Sequence, residues 1–409
     1  MFFSLHKWLK IAFLNLLIVS LLGIILRYKI AFSLPFIEQK NLLHGHSHFA
    51  FAGWITQALM FLLIKQLQFA SPEVIIKKYK WILYSNLITA YGMLLSFPFE
   101  GYGLFSIIFS TLSVFVSYWF AIVFWKDLNK EPEKKVAHYY FKAAIFFNAI
   151  SSIGAFALAF MMVKKIIAQK ISLLAVYFFL HFQYNGWFLF GCLGLLTIVA
   201  EKFIVNKKLL FQIFLLFFIA SVPAYFLSAL WLPIPLLLYL LVVISAIIQA
   251  IAWFLFLQLL IKNKIQFANF NTVSKLLFTL SAVALSIKII LQALSTIPSL
   301  SQLAFGFRPI VIGYLHLVLL GFTSIFLFSY ILQFEINFLP KKIKTGIYVF
   351  VIGIILNEVL LMLQGTADLF YFYIPFLNEA LFAVAIILFA GLLKINLPIV
   401  FGKNNFNKR

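Results

Sequence analysis

The sequence predicts an all-α integral membrane protein of about twelve transmembrane helices, and three observations carry that prediction. Hydrophobic residues make up 64% of the 409 positions and charged residues 11%, against roughly 45–50% and about 25% in soluble domains. The apolar residues fall in runs of about 20, the length that crosses a bilayer as a helix. Lysine and arginine gather in alternate connections, as the topology rule for membrane proteins requires. Helices rather than a barrel follow from long unbroken runs without strict alternation.

The runs fall near residues 10–30, 44–64, 80–98, 102–125, 138–162 and 172–200 in the first half, and near 209–230, 236–261, 274–297, 309–333, 345–365 and 372–393 in the second. The first has a basic start but no small-residue cleavage site and is followed by a second span, so it reads as a helix rather than a signal peptide. Connections of at most about 15 residues leave no room for a soluble domain, so residues 1–409 form one polytopic membrane domain. No internal repeat is visible. With the N-terminus on side one, that side collects 24 basic residues, including Lys7, Lys10 and the clusters at 65–80, 126–142, 202–208, 262–275 and 341–344. The other side has seven: Arg27, Lys29, Lys40, Lys164, Lys165, Lys170 and Arg308. Both termini are therefore expected in the cytoplasm. The net charge of +21 flanks apolar spans, which points to anionic lipid and topology and not to nucleic acid. One cysteine, Cys192, excludes internal disulfides, a Cys-x-x-Cys-His haem attachment and a thiolate zinc site.

Seven histidines are present, and three stand together in "LLHGHSHFAFAGW": His44, His46 and His48, where helix 2 enters from the outer side. His181 lies in helix 6 and His316 in helix 10, both inward-running and both within about ten residues of the outer end, so the histidines of three helices share one layer of the membrane. Ionisable residues inside spans are rare and usually functional, and neutral imidazole is the commonest metal ligand. At i and i+4, His44 and His48 share a helix face while His46 points elsewhere. A structural alternative stands beside this: a histidine near a helix end also sits at the interface or bonds a carbonyl. His6 and His138, at cytoplasmic helix ends beside lysines, are given no role.

These residues resemble a family. "GYLHLVLLGF" in helix 10 resembles the tenth helix of haem-copper oxidase catalytic subunits, and "HFQYNGWFLFGCLG" resembles the sixth helix of C-type oxidases and nitric oxide reductases. A histidine opening helix 2 before a "FAFAG"-like stretch and a count of twelve spans are also similar. The resemblance implies an oxidase subunit I-like bundle in a bacterial cytoplasmic membrane. It implies a low-spin haem b held between one of His44, His46 and His48 and His316; Arg308, two turns above His316, stands where a propionate would need a cation, or else contacts a lipid headgroup. It also implies copper or another metal at His181, with His46, Tyr184 or water as further ligands. The resemblance is incomplete. Tyr314 stands where the high-spin haem ligand belongs, the helix 7 stretch "FIASVPAYFLSALWLPIP" has no histidine, and Tyr184 is one position off the spacing of the oxidases' active-site tyrosine. A four-electron oxygen site is thus dismantled, while a bis-imidazole haem remains complete. The His-x-His opening of helix 2 is also similar to the NnrS family of haem- and copper-containing proteins of the nitric oxide response.

The expected function is electron transfer or a nitric oxide or oxygen response, with electrons from quinol or a redox partner subunit. The alternative is a histidine-lined metal-ion transporter or channel without haem, against which no span shows paired Gly/Pro interruptions. Lys288, placed near the middle of helix 9, needs a partner, because a lysine there costs about 2.5–3.5 kcal/mol on insertion scales. Glu358 in helix 11 and Glu379 in helix 12 are the expected partners, in an ion pair or a proton relay.

Overall fold

A computed structural model describes residues 5–263, 270–334, 336 and 340–401. The described chain is helical, with no strand. Its membrane helices are α1 (Leu5–Ala31), α2 (Gln39–Ile64), α3 (Pro72–Glu100), α4 (Leu104–Leu128), α5 (Val136–Val163) and α6 (Gln169–Ala200). They continue with α7 (Lys207–Ser221 bent by 43° into Pro223–Ala229), α8 (Leu236–Lys262), α9 (Thr272–Leu294), α10 (Arg308–Phe334), α11 (Lys341–Leu369) and α12 (Leu377–Ile399). Eleven of these described helices are long and apolar enough to cross a membrane, or twelve with the bent α7 counted as one span. The protein is an all-α multi-pass membrane protein. The bend in α7 falls at Pro223, which lacks the N–H that would continue the ladder. A nine-residue helix, Pro298–Gly306, joins α9 to α10.

The chain divides into two compact units, residues 1–122 with 327–409, and residues 123–326. In the first, Phe13 of α1 and Phe350 of α11 each lie against Phe328 of α10, with ring centroids 5.0 and 5.4 Å apart. Helices α11 and α12 touch backbone to backbone: a Cβ on Gly391 would stand 2.6 Å from the Phe350 amide nitrogen. Small residues drive such packing in lipid, where tails are as apolar as leucine. In the second unit, α6 packs on α5, with Gly186 and Gly194 seated against Phe147 and Phe141.

Burial ranks the helices. In its most apolar stretch α6 is 94% buried, α2 78% and α10 50%, while α4 is 17% buried. The helices that carry His44–His48, His181 and His316, namely α2, α6 and α10, are the most enclosed of the described spans.

Candidate functional site

Each of these three helices changes its winding just past its histidine. A π-helical segment follows His48 over Ala50–Thr56, follows His181 over Phe182–Phe188, and follows His316 over Leu317–Ser324. Single π turns inside α-helices occur mostly at functional sites. The sequence under them repeats: His48–Gly53–Trp54, His181–Gly186–Trp187 and His316–Gly321–Phe322 share one spacing, and one copy falls on every fourth helix. This corrects the expectation that the chain has no internal repeat. The shared pattern, a histidine with glycine and an aromatic at the fifth and sixth positions after it, is too sparse to stand out from apolar filler.

The carbonyls of the wider turns are met by polar side chains from neighbouring helices, as a water-free medium demands. Asn86 Nδ2 of α3 donates to the Ala52 carbonyl at 3.0 Å and to Gln57 Oε1 at 2.7 Å. Asn15 Nδ2 of α1 donates to the Gly53 carbonyl at 2.6 Å and is itself held by the Tyr91 hydroxyl at 2.7 Å. In α10 the Thr323 and Ser324 hydroxyls donate five residues back, to Val318 at 2.9 Å and Leu319 at 2.8 Å, and Ser281 of α9 donates to the Phe322 carbonyl at 3.2 Å. Reading histidines and charges alone missed these residues. The signal that finds them is an asparagine or glutamine inside an apolar span: Asn15, Gln57, Asn86, Asn148 and Gln183. Gln183 Nε2 donates to both Asn148 Oδ1 and Ser151 Oγ, at 2.8 and 2.7 Å.

In the first unit, His44 and His48 share a face, as their spacing requires. His48 stacks on Phe97 of α3 with centroids 4.4 Å apart, and His44 meets Tyr102 edge-on at 4.7 Å. His44 Nε2 is buried with no hydrogen-bond partner among the described residues. His46 points the other way, toward α1, with its ring 3.6 Å from the position a Cβ on Gly23 would take. Glu358 accepts from Asn357 Nδ2 at 3.3 Å, and Glu379 is exposed in the first turn of α12.

In the second unit, His181 is buried and both of its ring nitrogens are engaged. Nε2 donates to the Ser221 carbonyl at 2.9 Å, and Nδ1 accepts from Asn185 Nδ2 at 3.1 Å. A carbonyl only accepts, so the proton lies on Nε2 and Nδ1 carries the lone pair that Asn185 holds. In this arrangement His181 has no lone pair to give a metal, and its place is that of a hydrogen-bonded core histidine. Tyr184 is buried, bonds Ser228 and faces Tyr314 at a ring distance of 6.2 Å. No group of three or more His, Cys, Asp or Glu positioned to hold a metal ion occurs among the described residues.

His316 differs from His181. Its Nδ1 donates to the Ile312 carbonyl one turn back, at 2.8 Å. In a neutral ring that bond puts the proton on Nδ1 and the lone pair on Nε2. Arg308 is exposed at the first turn of α10, eight residues or about 12 Å along the axis from His316. Lys288 corrects one expectation. It lies six residues from the end of α9 rather than at the middle, and its amine is buried with no hydrogen-bond partner among the described residues.

The sequence matches no protein-family model and no curated protein.

Proposed function

We propose that this is a haem-copper-oxidase-like membrane protein that binds one b-type haem and serves electron transfer or a response to nitric oxide or oxygen. The observation that supports the reading is His316: a half-buried imidazole, anchored through Nδ1 to the Ile312 carbonyl and placed immediately before a π segment. The second axial imidazole comes from the His44–His48 segment. The shared spacing of histidine, glycine and aromatic ring singles out His48 as the counterpart of His316.

The donor set suits haem iron. Two neutral imidazoles are enough for a low-spin centre, and buried atoms without partners, His44 Nε2 and Lys288 Nζ among them, mark polar groups awaiting a companion. When bound, the haem supplies one-electron chemistry, and the protein supplies axial ligation, burial and the charges that set its potential. Arg308 stands at the end of α10 as the cation for a propionate. His181 is assigned no metal here; its role is to tie α6 to α7 through the Ser221 carbonyl. Electrons come from quinol or a redox partner subunit, in a bacterial cytoplasmic membrane with both termini inside.

The test is haem stoichiometry. Detergent-purified protein, expressed with haem supplied, is expected to yield about one b-type haem per chain by pyridine haemochrome, one being what a single axial pair holds. Protein free of haem would end this reading.

A further inference from the structure

A buried amine needs an anion or a cluster of acceptors, since burying a charge without a partner is costly. Lys288 is 2% exposed and its Nζ has no partner among the described residues. Its own unit has no carboxylate to offer. The acidic residues of positions 123–326 are Asp127, Glu131, Glu133 and Glu201, and all four lie at the end where α9 begins. Asp127 pairs with Lys130, Glu133 with Lys135 and Lys207, and Glu201 accepts from the Val136 and Ala137 amides that open α5. Lys288 is sixteen residues, or about 24 Å, along α9 from that end.

Register sets Lys288 level with His316. Ser281 of α9 bonds the Phe322 carbonyl, and Ala284 lies 3.6 Å from the position of a Cβ on Gly321. Lys288 is one turn beyond Ala284, about 6 Å, and His316 is about 7.5 Å before Gly321 on the antiparallel neighbour. On the same face of α9, one turn further, Gln292 leaves its Oε1 buried and unpaired as well. An ammonium has three N–H donors, so one can return to Gln292 while the others meet an anion.

We propose that Lys288, supported by Gln292, is a binding site for a carboxylate that the polypeptide does not supply, either a propionate of the haem or a free small carboxylate. The propionate source rests on the haem reading. Lys288 is then a positioning residue for the cofactor, separate from the axial ligands.

The experiment titrates the full-length, haem-depleted protein with haem b and with its dimethyl ester, which lacks the carboxylates, in wild type, Lys288→Met and Lys288→Arg. Wild type is expected to favour the free acid roughly tenfold or more, as for a buried charge pair broken on one side. Lys288→Met should show a much smaller preference, the part that Arg308 supplies, and Lys288→Arg should recover part of the loss. The wild-type comparison needs no substitution, so a misfolded variant leaves the test intact. An equal preference in wild type and Lys288→Met, or none in either, would overturn the proposal while leaving haem binding in place. If neither form of haem binds, the functional reading fails, and acetate decides the source. A melting-temperature rise with acetate in wild type that is absent in Lys288→Met supports a free carboxylate, and no Lys288-dependent rise overturns the site.

Discussion

Asn86→Leu tests whether the π segment of α2 depends on polar support from α3. Asn86 is 1% exposed and donates twice, to the Ala52 carbonyl at 3.0 Å and to Gln57 Oε1 at 2.7 Å. Leucine keeps similar bulk and removes both donors. Side-chain hydrogen bonds inside membranes average about 0.6 kcal/mol, because the unfolded chain in lipid also finds partners, so two lost bonds set a floor near 1 kcal/mol. A buried group left without a partner adds about 1–3 kcal/mol. Gln57 already has its Nε2 unpartnered among the described residues, so no second bond rescues its side chain. A loss of about 2–4 kcal/mol is expected. The assay is reversible unfolding in mixed micelles, with Ser110→Ala, an exposed hydroxyl bonded only to its own helix, as the neutral control. Gln57→Leu alone and with Asn86→Leu completes a double-mutant cycle, in which the double variant loses less than the sum of the two singles. A loss under about 0.5 kcal/mol, the range of ordinary surface changes, would refute the reasoning.

Three further outcomes follow from the same geometry. Gly186→Ala sets a new Cβ into the stem of Phe147, whereas a Cβ on Gly321 meets its nearest neighbours at 3.5 and 3.6 Å; melting temperatures should fall for the first, by the equivalent of about 1–3 kcal/mol, and stay unchanged for the second. Glu201→Ala removes the carboxylate that accepts from the Val136 and Ala137 amides at 2.8 and 3.3 Å and should cost about 1 kcal/mol, as loss of a helix cap does, while Glu201→Gln recovers part of it. Cys192 is fully buried, so a maleimide should label the protein only after denaturation; labelling of the native micelle would place α6 at the surface.

The fold was legible because lipid imposes a strong, simple pattern: length, apolarity and the lysine asymmetry marked the helices to within a few residues in most cases. The largest miss was α3, which begins at Pro72 rather than near 80, because Lys77, Lys78 and Lys80 look like a loop while belonging to a helix that emerges from the apolar layer. The shared face of His44 and His48 also followed from helical spacing. The π segments did not, since winding depends on which neighbours supply donors, and Asn15 and Asn86 lie 38 and 34 positions away from the carbonyls they satisfy. The state of each histidine was equally hidden. His181 and His316 look alike in sequence, yet Asn185 and Ser221 occupy both nitrogens of one, while Ile312 orients the other. For Lys288 the sequence shows the cost of burial but not the missing partner.

We propose His316, and not His181, as an axial ligand. The most direct measurement is a reduced-minus-oxidised optical spectrum of wild type, His316→Ala and His181→Ala, each purified after expression with haem supplied. Wild type is expected to show a sharp b-type α-band that is lost in His316→Ala and retained in His181→Ala. An undiminished bis-imidazole spectrum in His316→Ala would contradict it.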